Sequence, residues 1–394
     1  MYQTLEVLGP EHEFSIVDGK LNPLSIVDRV IKAWKGRIVN NVYFKDHAFG
    51  KELQNHVAEI KANTPFKSPV IFEQTMYNAV LKTNDFLERY KANLLGLGMH
   101  PVLNLDEVQI WSHRDRGIYD ALGNIFNLKQ HGWLNIQSFQ LNLPYASEKD
   151  GIKLHNTLST IIPYLPAISA ASPVYEWKIG EFVDNRLHFY MVNQKEVPSI
   201  VGEGIPEQVS SFGEYHRKII DKYSRQLKEL HAHPCLIGKD WVNSRGITFR
   251  FGRKSIEIRV LDEQECIKSD VALSCFIRAL VRGLINQNRY LPHDVLVEDF
   301  RSVIKDGFDA KVGYLGARNA RDVCLQFYRT ADKNAEDEEK KYLWLVKKRI
   351  EKGNLSNLIV KDIKKRAMKT SLEEAILNIY LRLVENLRDN KPYF

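Results

Sequence analysis

The chain has 394 residues, of which 44% are hydrophobic, enough for one large core or two smaller ones, and its charged content is that of a globular protein. A net charge of +7 permits attraction to anions, but 56 Lys and Arg stand beside 49 Asp and Glu, so no nucleic-acid partner is expected. No apolar run is long enough for a bilayer, no basic leader precedes the first strand, and Cys235, Cys266, Cys275 and Cys324 fit no C-x-x-C pair, so a cytoplasmic protein with buried, reduced thiols and no membrane partner is expected.

Carboxylates at alternate positions mark the first element. Residues 5–17 read as a strand ending at the turn Asp18-Gly19-Lys20, with Glu11 and Glu13 on one face and Phe14 and Ile16 on the other. Two carboxylates side by side on a rigid strand repel, a cost best offset by a bound cation, and an oxygen-only donor set suits Mg²⁺ or Mn²⁺ rather than zinc. Taken alone, the same alternation also describes a strand with a wet outer face. Residues 57–62 predict another strand, with Glu59 on the face of Val57 and Lys61.

Helical spacing predicts a long helix over 70–97, stopped by Gly96-Leu97-Gly98, and a further helix over 118–130. Residues 135–144 alternate cleanly, with Ser138, Gln140 and Asn142 on one face and Phe139, Leu141 and Leu143 on the other. Helices are expected over 151–171 and 212–231. The segment 255–262 then puts Glu257 and Arg259 on one face and turns Ile256, Ile258 and Val260 to the core, before an apolar helix over 269–287. Beyond Pro292 alternation disappears, and an all-helical region over 291–394 is expected, with helices over 332–352 and 371–388. The basic run Lys361 to Arg366 reads as a solvated helix face before it reads as a polyanion site.

The mixture predicts an α+β fold rather than strict βαβ alternation. Neither a G-x-x-x-x-G-K-[ST] loop nor a well-placed G-x-G-x-x-G occurs, so a nucleotide would have to be held through metals on a carboxylate-lined sheet. Six segments then bear comparison with a known pattern. They are Gly9-Pro10-Glu11-His12-Glu13-Phe14, His56-Val57-Ala58-Glu59-Ile60 running to Thr64-Pro65, Gly98-Met99-His100-Pro101, Leu165 to Pro173, Arg186-Leu187, and Ser255-Ile256-Glu257-Ile258-Arg259-Val260-Leu261-Asp262. In this order they resemble a divergent branch of the glutamate–cysteine ligase type 2 family, carboxylate–amine ligases related to glutamine synthetase. The resemblance covers about residues 5–290.

The resemblance implies a glutamine-synthetase-like catalytic sheet, mainly antiparallel and flanked by helices, in residues 1–290, with the helical region of 291–394 appended. It implies ATP-dependent amide formation between a glutamate-like carboxylate and an amine, through an acyl phosphate, with Mg²⁺ or Mn²⁺. Glu11, Glu13, Glu59 and Glu257 would be metal ligands, with Glu257 and Arg259 catalytic. Arg259, His100 and Arg250 would contact ATP phosphates, and Gln140, Asn142 and Arg186 the substrate. Oligomeric state stays open. Two departures matter: Gln140 and Asn142 stand where many members carry an H-x-H pair, and Asn55 stands before Glu59 where many carry a second close glutamate, the nearest other carboxylate being Glu52. A guanidino-kinase-like phosphotransferase and a non-catalytic binding protein on the same fold remain as alternatives.

Overall fold

The structure, a computed structural model, describes residues 2–287 and 291–394. Its strands are β1 Gly9–Asp18, β2 Asn41–Tyr43, β3 His47–Lys51, β4 Val57–Ala62, β5 Ala92–Leu95, β6 Ser138–Pro144, β7 Val174–Tyr175, β8 Lys178–Ile179, β9 Ile247–Arg250 and β10 Ser255–Asp262. The main sheet runs β2-β3-β4-β1-β6-β10-β9, with β5 paired to the second half of β1. Every pair in it is antiparallel. β7 and β8 form a separate hairpin.

Alternation sorts the central strands onto two faces. Phe14, Ile16, Ala58, Ile60, Phe139, Leu141, Leu143, Ile256, Ile258 and Val260 are buried, and the helices Pro69–Leu87 and Ile267–Leu284 pack on that side. The strand assignments at residues 57–62 and 255–262 coincide with β4 and β10, and the helices Phe212–Tyr215 and Asp221–Glu229 join through a π-helical turn as one rod over 212–229.

Helix boundaries are where periodicity misleads. The helix expected over 70–97 ends at Leu87, passes through a 3₁₀ turn, and stops at Lys91, whose φ of 53° is left-handed. Leu94 fits helical spacing, but β1 offers its segment a strand edge and it becomes β5. The helix expected over 118–130 is Arg116–Gly123, because the Asn127 side chain accepts the Lys129 N–H at 3.0 Å and forms a turn instead. The helix expected over 151–171 runs Glu148–Ile161 and breaks at Pro163 and Pro166.

The helices His293–Asp306, Ala320–Asn334, Asp337–Lys352, Leu355–Ala367 and Leu372–Asp389 make up the C-terminal region, so the run expected over 332–352 divides at a capping box on Glu336. A boundary drawn after residue 290 falls at residues 288–290, outside the described residues. One apolar core reaches from Leu5 to Leu387 and takes in residues of both regions. Ile363 is buried while Lys361, Lys364, Lys365 and Arg366 are exposed, as a solvated helix face requires. Cys266, Cys275 and Cys324 are buried free thiols and Cys235 is partly exposed. Among the described residues no helix is long and apolar enough to cross a membrane.

A buried ion pair ties the two regions. Arg278 Nε lies 2.6 Å from Glu339 Oε1, both side chains almost wholly buried, and the half-exposed Arg282 reaches Glu339 Oε2 at 2.8 Å. Arg278→Ala should leave Glu339 undercompensated and cost about 3 kcal/mol in urea unfolding, against about 1 kcal/mol for Arg282→Ala.

Candidate active site

The polar face of the sheet gathers charge from β1, β4, β6 and β10. In register, Glu11 lies opposite Lys61 on β4 and Gln140 on β6, Glu13 opposite Glu59, and Glu257 opposite Asn142. Opposed residues share a face, so strand pairing alone brings these seven groups together. The amides reach diagonally along β6: Gln140 Nε2 donates to Glu13 Oε1 at 3.0 Å, and Asn142 Nδ2 donates to Glu11 Oε1 at 3.1 Å. The backbone N–H of Ser138 donates to the other Glu13 oxygen at 2.7 Å.

Cationic groups compensate these carboxylates unevenly. Arg253, on the β9–β10 hairpin, puts Nη1 2.6 Å from Glu11 Oε1. Glu257 is held twice, by Arg259 Nε at 2.7 Å and Arg250 Nε at 3.3 Å. Lys61 pairs with Glu59. Glu13 accepts its hydrogen bonds from an amide and a backbone N–H, and Glu52, at the end of β3, adds a further carboxylate. Burial first, and then the field of neighbouring carboxylates, push Glu13 up to about 7 and Glu52 and Glu59 up to about 8. Burial acts on Glu11 in the same sense, but Arg253 and Lys61 outweigh it and hold that carboxyl below its ordinary value.

A β-bulge between Ile258 and Leu261 aims Arg259. Its backbone N–H donates to the Gly246 carbonyl at 2.9 Å, one step beyond the β9–β10 ladder, and its Nη1 donates to the Asn243 carbonyl at 2.9 Å. Beneath the bulge Arg186 is 2% exposed, with Nε 2.5 Å from Asp262 Oδ1 and Nη2 donating to the Arg259 carbonyl at 3.2 Å.

Two cavities open on this face. One, of about 350 Å³, is lined by Val7, Pro10, Glu11, Lys61, Asn142 and Arg253 among others. The other, of about 220 Å³, is lined by Glu13, Gln140, Arg186, Arg259 and the rings of Trp133 and Trp241 among others.

Of the residues singled out in the sequence, Glu11, Glu13, Glu59, Glu257, Arg259, Arg250, Gln140 and Asn142 therefore share one face, and Arg186 lies under its edge. His100 is elsewhere. It is fully buried, its backbone is clamped by Asn135 (N–H to Oδ1 2.7 Å, Nδ2 to the His100 carbonyl 3.0 Å), and its ring faces His56. It lines neither cavity. Asn55 also points away, accepting the Asp28 N–H at 3.1 Å. Glu52 is the residue of that segment that joins the charge cluster, and nothing in the alternation of β4 marks it. Arg253 was missed too, because a hairpin arginine carries no periodic signal.

The profile of the Glutamate-cysteine ligase family 2 (GCS2) matches residues 7–377. An uncharacterized protein of Archaeoglobus fulgidus is 43% identical over 387 residues, 98% of this chain and 100% of its own length. Solved ligases share the fold at low identity. Glutamate–cysteine ligase (gshA) from Francisella tularensis in complex with AMP matches at TM-score 0.66 and 14% identity, over 98% of this chain and 90% of its own. A bifunctional glutathione synthetase from Pasteurella multocida matches at 0.65 and 13%, over 97% of this chain and 52% of its own. The Pup ligase PafA, solved with Pup, matches at 0.55 and 12%, over 96% and 73%. The antiparallel, helix-flanked sheet is thus the fold that these three solved proteins share. The chain belongs to the Glutamate-cysteine ligase family 2.

Proton linkage gives the site a testable signature. A divalent cation binding the ionised forms of Glu13, Glu52 and Glu59 must displace their protons, so its affinity should rise as pH passes upward through about 7 to 8 and fall below that window. Titration calorimetry with Mn²⁺ in buffers of different ionisation enthalpy should read a net proton release near neutrality that shrinks in Glu52→Gln.

Proposed function

We propose that this chain is a cytoplasmic, ATP-dependent carboxylate–amine ligase that activates a glutamate-like carboxylate as an acyl phosphate and joins it to an amine, its machinery lying within residues 1–290. The observation that carries this reading is the convergence of Glu11, Glu13, Glu52 and Glu59 with Arg253 and Arg259 on one sheet face, beside two cavities lined by neighbouring residues of β1 and β6.

The donor set fits a hard divalent cation. It is all oxygen, and burial with mutual repulsion keeps Glu13, Glu52 and Glu59 from ionising fully without added positive charge. Glu11, Glu13, Glu59 and Glu257 would hold Mg²⁺ or Mn²⁺, with Glu52 joining them. Held by these carboxylates, the ion would supply positive charge against the phosphates of the nucleotide.

The chain's own residues supply the remaining requirements. Apolar Val7 and Pro10 among the residues lining the cavity of about 350 Å³ suit a base, while Lys61 and Arg253 suit its phosphates. Arg259, fixed by Glu257 and the bulge, presents a planar fork to the transferring phosphoryl group. Gln140 and Arg186 would orient the acceptor carboxylate, and Trp133 and Trp241 would keep water from the acyl phosphate. An acceptor oxygen bonds the γ-phosphorus as the bond to ADP breaks. The amine nitrogen then bonds the carbonyl carbon, phosphate leaves with the C–O electron pair, and the amine loses a proton.

Pooled amino acids and amines, screened for ATP consumption with mass spectrometry of the products, test this. Phosphate release that needs both a carboxylate and an amine, with an amide formed, is expected. A stable phosphorylated acceptor would identify a phosphotransferase instead, and ATP left intact a binding protein.

Arg259→Lys should lower kcat about a hundredfold, about 2.7 kcal/mol, with KM for ATP within a few-fold, because lysine keeps the charge and loses the fork. Glu257→Gln should move kcat in the same direction by loosening the Arg259 anchor. Steady-state kinetics with both variants near parent values would remove β10 from the site.

A further inference from the structure

The core side of β1 holds a feature that amide formation does not use. His12 stands between Glu11 and Glu13, so its side chain points away from the site into the apolar packing beneath the sheet. Its ring is held between Phe14 and Phe139, with centroids at 5.7 and 4.9 Å, which fixes where the nitrogens point. Nδ1 faces two carboxylates, Glu263 Oε1 at 3.1 Å and Asp270 Oδ2 at 3.6 Å. All three residues are 0% exposed. Glu263 and Asp270 lie close enough to share a proton, yet neither Asp270 oxygen has an aligned hydrogen-bond partner among the described residues. Three ionisable groups crowded together in the core, with no aligned hydrogen bond to either Asp270 oxygen, are costly to keep there.

The geometry points to a second cation site here: we propose that His12, Glu263 and Asp270 bind one transition-metal ion of the zinc class, Zn²⁺ by preference, as a structural centre behind the catalytic sheet. Ligand atoms at about 2.0–2.2 Å from a tetrahedral ion stand about 3.3–3.6 Å from one another. The separations of 3.1 and 3.6 Å bracket that value, and one ligand atom from each residue lies within 4.8 Å of the others. An imidazole with two carboxylates is a mixed nitrogen–oxygen set, which favours a transition metal over the Mg²⁺ suited to the oxygen-only face opposite. The ion would also brace the site strand, because Glu263 Oε2 accepts the backbone N–H of Glu13 at 3.2 Å. With no exposure of any ligand, the metal would enter during folding and exchange slowly.

The full-length protein, produced in medium supplemented with Zn²⁺ and Mn²⁺ and dialysed against EDTA in its native state, tests this by elemental analysis. About one equivalent of zinc per chain should survive dialysis and leave only when guanidinium unfolds the protein. Glu263→Gln and Asp270→Asn should lose that equivalent while Mn²⁺ still titrates onto the polar face of the sheet, and Glu59→Gln should show the reverse. Native wild-type protein that emerges metal-free from this treatment would overturn the proposal and leave the three groups sharing a proton. The wild-type measurement decides even if a core variant fails to fold.

Discussion

Repulsion among carboxylates crowded on one face of β1 and β4 is the constraint around which the rest of this molecule is arranged. Glu13 opposes Glu59 directly across the β1–β4 ladder, and Glu52 adds to the same field. Such a face holds only if its backbone cannot relax. The other side of β1, β6 and β10 is therefore packed dry, and positive charge arrives from several elements: Lys61 from β4, Arg250 from β9, Arg253 from the hairpin, and Arg259 from β10 itself. Arginines in contact compensate Glu11 and Glu257, whereas Lys61 only partly offsets the burial and repulsion acting on Glu59. The uncompensated charge lies at Glu13, Glu52 and Glu59.

A second arrangement, hidden beneath β10, explains why so many short motifs are present together. Asp262 accepts the Ala171 N–H at 2.7 Å and pairs with Arg186, and Gly98 lies so close that a Cβ there would come within 2.3 Å of the Asp262 carboxyl. The Gly98–Pro101 step, the helix end at Ala171-Ser172-Pro173, Arg186 and the last residue of β10 thus meet at one buried carboxylate. These segments build a lock that holds the bulge carbonyl of Arg259, and through it the direction of that guanidinium. His100 follows this step, its backbone clamped by Asn135 and its ring against His56.

Strand faces were legible because a period of two is a local property that survives folding. The pairing of Glu11 with Glu13, Gln140 with Asn142, and Glu257 with Arg259 on common faces follows from spacing alone, and so does the apolar set behind them. Helix ends were less legible. Leu94 fits the helical spacing, and only an available edge of β1 makes its segment a strand, while Pro163, Pro166 and the Asn127 turn break helices at places that an apolar count overlooks.

The sequence by itself determined the class of fold, the family, and which side chains share a strand face, since each depends on short-range order. Only the tertiary structure decided which carboxylates are compensated. Arg253 meets Glu11, Glu52 enters the cluster in place of Asn55, and Arg186 turns to Asp262, each across many residues of chain. It also put His12 against Glu263 and Asp270 beneath the site. The physical reason is that charge acts through distance and burial, and neither is written in the spacing of residues along a chain.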